Sequence, residues 1–426
     1  MNFSSFKRWT ALIFRFLAGQ GSVQVLNLVS GFLLLRWLSV EAYAQYSVAF
    51  GFQNTLGILV DLGISGSIVA LVGDRGSDKE IVGTYIQSAK HFRNRFFAVI
   101  IPLAAIAFPL VTSKHNWDLT TQLLLFISVA SSLFFQGWVS FYSAPLLINQ
   151  RLRQFYQPQI ISSFGRLLIY FILHVASALT SWASAWVSSA MFAVTGFLYR
   201  QATTPLITEP HHSNPKFNRE MIRYFSPLIP ATIFTAFQGQ ISLALITIFG
   251  QTQSIAEVAA LGRLGQLFFI LSSFNSVIIG PYIAKVAQRN LTIKYFQILG
   301  AAVIVAVILC LIAFLCPQPL LWVLGPKYQN LRAEVGWVVV TASFSYVANT
   351  LYQMNSHRKW IYWWASAFDI TVQVVVQVIC IYVIDFTTTI NVIYFSLIVA
   401  ASSAFINFTV GIYGLNQNRR LDRINK

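Results

Sequence analysis

The chain has 426 residues, of which 56% are hydrophobic, 15% aromatic and only 10% charged. Soluble domains carry about 25% charged residues, so the composition excludes a soluble protein and points to an integral, multi-pass protein of the cell membrane. The net charge of +16 does not indicate a nucleic-acid partner, because the basic residues are scattered between apolar runs and not clustered on one segment.

A membrane-spanning helix needs about 20 mainly apolar residues. In chain order about twelve candidates meet this: 16–36, 44–72, 96–112, 119–147, 157–176, 178–199, 225–249, 255–284, 297–316, 335–356, 361–384 and 391–415. With the N-terminus placed in the cytoplasm, 23 of the 29 Lys and Arg fall on the inside. Arg36, Lys114, Lys327 and Arg332 fall outside, and Arg166 and Arg263 lie within spans. That asymmetry predicts that both termini are cytoplasmic. Gly19-Gln20-Gly21 follows a basic start, yet no Ala-x-Ala site follows and the apolar run continues, so no cleaved signal peptide is expected.

The longest hydrophilic gap between spans, about Arg200–Tyr224, holds Pro205, Pro210, Pro215 and the pair His211-His212. It divides the chain into an N-terminal six-helix lobe (1–204), a cytoplasmic linker (205–224) and a C-terminal six-helix lobe (225–426). The predicted fold is therefore an all-α integral membrane protein of two six-helix lobes around a central cavity, a common transporter layout. A short internal match fits this division: Glu41-Ala42-Tyr43-Ala44 opens the second span and Glu257-Val258-Ala259-Ala260 opens the eighth.

No nucleophile motif, metal-ligand cluster, phosphate-binding Gly-rich loop or nucleotide-binding domain stands in the sequence. The outer loops are short, and their acids Glu41, Asp118, Glu257, Glu334 and Asp385 are dispersed. The expectation is a protein that is not an enzyme and that uses no cofactor and no metal. The three cysteines, Cys310, Cys316 and Cys380, sit inside apolar runs as small buried hydrophobes. The His211-His212 pair reads as solvated linker, since no third ligand is near.

Several spans carry a polar stripe at helical spacing. The first has Gln20, Gln24, Asn27 and Gly31, and the second has Asn54, Gly57, Asp61 and Ser65. The fourth has Ser128, Ser132, Gln136 and Ser140; the fifth has Gln159, Ser162, Arg166, Tyr170 and His174. The eighth has Arg263, Gln266 and Ser273, the tenth Thr341, Ser345, Asn349 and Tyr352, and the eleventh Tyr362, Ser366, Asp369, Gln373 and Gln377. Single hydroxyls can be glue between helices, worth about 0.6 kcal/mol each. Long amides on so many helices, with four charges at bilayer depth, point to a water-accessible cavity, because charges within spans face a cavity or a partner.

Arg166 stays protonated and offers a planar fork suited to phosphate oxygens. It is either an anion-binding group or the partner of Asp61 or Asp369 in a buried ion pair. Arg263, in the outer third of its span, is a second candidate cation for the cavity or snorkels to the interface. Asp61 and Asp369 are the cavity carboxylates, as coupling groups or ion-pair partners. Pro227, Pro230 and Pro281 mark places where a span can bend.

The segment Leu34-Leu35-Arg36-Trp37-Leu38-Ser39-Val40-Glu41-Ala42-Tyr43-Ala44-Gln45-Tyr46, followed by Leu59-Val60-Asp61-Leu62-Gly63-Ile64, resembles the polysaccharide transporter (O-antigen flippase) family. That family belongs to the multidrug/oligosaccharidyl-lipid/polysaccharide exporter superfamily. Its turn runs Leu-x-Arg-x-Leu-Ser/Gly, Glu, Tyr-Gly-x-Tyr, with Asp-Leu-Gly in the second helix; here Ala44 stands where Gly is usual. The resemblance implies a flippase for an isoprenoid-diphosphate-linked oligosaccharide, with the sugar head in a hydrophilic cavity and the lipid tail in the bilayer. It also implies membrane lipids and a polysaccharide polymerase or glycosyltransferases of the same pathway as partners. A cation-coupled multidrug exporter is the alternative on the same fold.

Overall fold

The computed structural model describes residues 3–72, 75–76, 78–149, 151–208, 214–226, 229–268, 271–272, 275, 279–358, 360 and 362–424. Among the described residues the chain is helical and contains no strand. It packs as two compact units, Met1–Ile248 and Phe249–Lys426.

The first unit begins with α1 (Phe3–Trp37), α2 (Val40–Asp61), α3 (Ile64–Val72) and α4 (Lys79–Thr112). It continues through α5 (Leu119–Ile148), α6 (Leu152–Val175), α7 (Ser181–Thr203), α8 (Pro215–Phe225), α9 (Ile229–Gln238) and α10 (Ile241–Phe249). Helix starts are set by side-chain caps that satisfy otherwise orphaned backbone N–H groups. Ser39 accepts from the Ala42 N–H at 3.1 Å, Asp118 from the Thr121 N–H at 3.2 Å, and Thr180 from the Ala183 N–H at 3.2 Å. Asp78 caps α4 by accepting from the N–H groups of Glu80 and Ile81.

The second unit comprises α11 (Thr252–Gly265), α12 (Gly280–Lys285), α13 (Gln288–Leu315), α14 (Gln318–Leu324), α15 (Arg332–His357), α16 (Trp363–Val383) and α17 (Thr389–Ile424). In each unit one long helix pair forms the main contact, α5 with α7 and α15 with α17. Gly196 lets α5 and α7 approach closely: a Cβ there would lie 2.9 Å from the Cβ of Trp138.

The outward faces of the long helices are apolar. On α4, Val99, Leu103, Ile106 and Leu110 are each more than 60% exposed. A water-soluble protein does not leave such a continuous apolar strip uncovered, so these faces meet lipid. Six helices among the described residues are long and apolar enough to cross a membrane, and the pair Thr232–Gln238 and Ile241–Phe249, bent by 49°, makes a seventh. The chain is a multi-pass membrane protein.

Three of the expected spans differ in form. The second is two helices: Leu62 (φ 41°) and Gly63 (φ 82°) adopt left-handed conformations that end α2 at Asp61 before α3 begins. The third starts 17 residues earlier than its apolar core, at Lys79, so that Lys90, Arg93 and Arg95 lie on a helix and not in a loop. The seventh is broken at Gly239-Gln240, between α9 and α10. The eighth starts as α11, and Ser273 lies outside the described residues, as do Pro227 and the His211-His212 pair.

The first unit extends past the hydrophilic gap because the following helices pack back onto it. Phe217 and Phe225 of α8 contact Tyr85 and Phe92 of α4 edge to face, and the Tyr85 hydroxyl donates to Glu220 at 2.8 Å. Helix α9 packs on α2. Lys114 donates to the Ile248 carbonyl at 3.1 Å and the His115 ring nitrogen lies 2.8 Å from the Thr247 carbonyl, placing basic groups at the C-terminus of α10 where a helix dipole favours them.

The break after α2 makes a stability prediction. Only glycine holds φ near 82° without strain, so Gly63→Val should lower stability by about 1–2 kcal/mol. Thermal unfolding of the detergent-purified protein, followed by tryptophan fluorescence, measures it; an unchanged midpoint contradicts the assignment.

Candidate functional site

The sequence of α6 puts Phe155, Gln159, Ser162, Ser163 and Arg166 on one side of a helix whose other side, with Ile161, Phe164, Leu168 and Phe171, is exposed and apolar. The polar side faces α1 and α7, and there the structure holds a cavity of about 310 Å³ within the first unit. Helix α1 contributes Val23 and Asn27, α5 contributes Val139 and Ser143, and α7 contributes Ser188, Thr195 and Tyr199 with the apolar Met191 and Phe192.

Arg166 lies at one end. Its guanidinium donates to the Asn27 side-chain carbonyl, which also accepts from Ser163 Oγ at 3.2 Å. The Arg166 Nε is buried and has no hydrogen-bond partner. A buried donor on a permanent cation costs free energy while it stays unpaired. No carboxylate lies among the described residues that line the cavity. The site is therefore suited to an anion flanked by hydroxyls, and unsuited to a cation.

At the other end the groups are tied to one another. Gln159 Nε2 donates to the Tyr199 hydroxyl at 2.7 Å, and that hydroxyl donates to the Phe155 carbonyl at 2.7 Å. The rings of Phe155 and Tyr199 stack with centroids 5.8 Å apart. Between the two ends Thr195 Oγ1 donates to Ser162 Oγ at 2.7 Å.

Of the polar residues expected to line a cavity, Asn27, Gln159 and Arg166 meet here. Tyr170 is buried just beyond, with its hydroxyl at 3.1 Å from the Ser184 carbonyl and 2.8 Å from Ser188 Oγ. His174 stacks on Trp37 with ring centroids 4.5 Å apart. Gln20, Gln24 and Asn54 are half-buried and are not among the lining residues. Gln136 sits beside Gly57 with its carbonyl oxygen buried and unpaired. The contribution of α7 was hidden in a run of small residues, SWASAWVSSAMFAVTGFLYR, yet Ser181, Ser184, Ser188, Thr195 and Tyr199 in it keep helical spacing.

Asp61 is not the partner of Arg166. At the C-terminal end of α2 it meets Arg93 of α4, Nη1 to Oδ1 at 3.2 Å, and it also accepts from Ser65 Oγ. Arg93 is only 4% exposed; its Nη2 donates to the Leu133 carbonyl at 2.9 Å and its guanidinium lies 5.9 Å from the Phe141 ring centroid. Gly137 makes the room, since a Cβ there would come within 2.6 Å of Arg93 Nε. Arg93 lies outside the apolar run 96–112, because Lys90, Arg93 and Arg95 interrupt the apolar pattern.

In the second unit Arg263 Nη1 donates to Gln266 Oε1 at 3.3 Å. One carboxylate oxygen of Asp369 is buried without a partner, as is the Asn349 side-chain carbonyl. Gln373 accepts from Ser402 Oγ at 3.4 Å while its Nε2 is unpaired. Arg263 and Asp369 thus belong to a different unit from the Arg166 cavity.

No family model and no curated protein sequence matches the chain. Solved structures do. A multidrug resistance MATE family transporter of the MOP superfamily, in an inward-facing conformation, superposes with a TM-score of 0.69 at 12% identity, covering 94% of this chain and 96% of that one. The chain has the MATE–MurJ fold. The lipid II flippase MurJ, inward closed, gives 0.64 at 12% identity over 94% of this chain and 86% of its own. The eukaryotic MATE transporter AtDTX14 gives 0.60 at 14% identity, covering 97% and 99%.

The Arg93–Asp61 pair makes a prediction for the first unit. Removing one member of a buried pair leaves the other uncompensated and costs about 3 kcal/mol or more. Arg93→Ala and Asp61→Ala should each lower the thermal midpoint strongly, and the double variant should lose less than their sum. Additive losses contradict a direct pairing.

Proposed function

We propose that the chain is a membrane flippase that moves an isoprenoid-diphosphate-linked oligosaccharide from the cytoplasmic to the external leaflet of the cell membrane, by alternating access, for surface polysaccharide biosynthesis. The observation that carries this reading is the cavity itself: a half-buried cation whose Nε is buried and unpaired, a lining of hydroxyls and amides, and no carboxylate among the described lining residues. A diphosphate is the anion that a guanidinium fork fits, and sugar hydroxyls both donate to and accept from such a lining. The likeness to the lipid II flippase fold and the hairpin of Leu34–Tyr46 support it.

In this reading the chain is a transporter and not an enzyme. Its lobes are 1–204 and 225–426, joined by the linker 205–224, with both termini cytoplasmic. A recurring tie supports two lobes of one design. In the first unit Ser181, at the start of α7, donates to Gln45 Oε1 at 2.6 Å, and Gln45 is one turn from Glu41. In the second, Thr389, at the start of α17, donates to Glu257 at 2.7 Å. Arg166 is the primary substrate cation, Arg263 and Asp369 are the polar groups of the second lobe, and Asp61 holds Arg93.

The multidrug reading is favoured by the higher superposition on the MATE transporter. It requires a cavity carboxylate for cationic drugs, which the lining described above does not supply. Deletion that sensitises cells to cationic dyes while leaving surface polysaccharide intact would favour it.

Arg166→Ala should reduce export of surface polysaccharide at least tenfold, because a charge-assisted hydrogen bond contributes about 1.5–3 kcal/mol, while the amount of protein in the membrane stays normal. Arg166→Lys, which keeps the charge but loses the fork, should fall between. Wild-type export by Arg166→Ala removes this residue from the mechanism.

A further inference from the structure

The cavity has two chemically different ends. Along α6, Phe155 and Arg166 are eleven residues apart, about 16 Å at the rise of a helix. The Arg166 end is cationic. The opposite end presents an aromatic ring, a phenol and an amide: Phe155, Tyr199 and Gln159 line it, with Ser143 across from them on α5. No charged group lies at that end among the lining residues.

This second end is rigid. Tyr199 is only 1% exposed, stacks on Phe155 and donates to the Phe155 carbonyl, while Gln159 donates through Nε2 both to the Tyr199 hydroxyl and to that same carbonyl at 3.2 Å. Those bonds use the donors of Gln159 and fix the orientation of its amide, leaving Oε1 as an acceptor. Phe155 is half-buried, so part of its surface faces the cavity. A fixed aromatic surface beside a pre-oriented amide acceptor and a serine hydroxyl fits a pyranose ring, which offers apolar C–H groups on one side and hydroxyl donors at its rim. The separation of the ends accommodates a diphosphate and one sugar in line.

We infer that Phe155, Gln159, Tyr199 and Ser143 form a glycosyl subsite that receives the sugar ring attached directly to the anionic group held at Arg166. The inference rests on the flippase reading above and goes beyond it by assigning which end takes the sugar. Because α6 begins on the cytoplasmic side after Arg151 and Arg153, the glycosyl end faces inward and the diphosphate end lies deeper. The first sugar of the chain is therefore the part of the glycan that the protein selects, and more distal sugars contact other surfaces. Gln159 and Phe155 bind substrate; Tyr199 positions them.

The test uses the full-length protein in lipid nanodiscs and two synthetic probes, a short-chain isoprenyl diphosphate and the same molecule bearing one hexose. The wild-type protein should bind the hexose-bearing probe about tenfold more tightly, the effect of one or two net hydrogen bonds. Gln159→Leu and Phe155→Leu should abolish that preference while binding of the bare diphosphate persists. Arg166→Gln should weaken both probes alike. Equal binding of the two probes by the wild-type protein overturns the subsite and leaves the anion site standing. Failure of the wild-type protein to bind either probe overturns the flippase reading. Loss of stability and of both affinities in Gln159→Leu and Phe155→Leu alike assigns these residues a structural role and overturns the subsite.

Discussion

A cation placed between helices in a bilayer has to be answered, and the contact between Arg166 and Asn27 is where this chain answers it. An intramembrane charge costs on the order of 3 kcal/mol on insertion scales. Here the guanidinium is met by a neutral carbonyl shared with Ser163, not by a carboxylate, and its Nε is left over. The consequence runs outward from that point. Helix α6 must turn its polar side toward α1 and α7, its apolar side must face lipid, and a cavity stands between the helices.

Two arginines on the helices of the first unit, Arg93 buried and Arg166 half-buried, show the contrast. Arg93 meets Asp61 and a backbone carbonyl, in a niche that Gly137 keeps clear. Its charge is compensated and its function is to hold α2, α4 and α5 together at the point where α2 ends. Arg166 has no such counter-charge among the lining of its cavity. Arg166 keeps one donor, its Nε, unpaired, which is what the proposed anion-binding role uses.

Much of this was legible in the sequence, and what was not has physical causes. Apolar runs of membrane-spanning length gave the helices, and the stripe Gln159, Ser162 and Arg166 gave the side of α6 that faces the cavity. The break at Leu62-Gly63 was not visible, because an apolar run is continuous whether or not its backbone turns left-handed at one residue. Arg93 falls outside the apolar run 96–112 because hydropathy registers charge, while Lys and Arg are good helix formers and α4 simply continues through them. The pairing of Asp61 was open because spacing along one helix says nothing about which neighbour lies opposite. Ser188 and Thr195 give no signal of their own, since small hydroxyls in a helix of small residues look like packing residues until a cavity is seen beside them.

In the proposed mechanism the Arg166 cavity carries the anionic head of a lipid-linked sugar across the membrane. Leaflet exchange of a fluorescent isoprenyl-diphosphate sugar in proteoliposomes tests it most directly, with externally added quencher reporting the accessible fraction. Exchange is expected with the wild-type protein and exchange at least tenfold slower with Arg166→Ala at equal reconstitution, the loss of one charge-assisted hydrogen bond. Equal exchange by the two proteins, or exchange no faster than in protein-free vesicles, contradicts it.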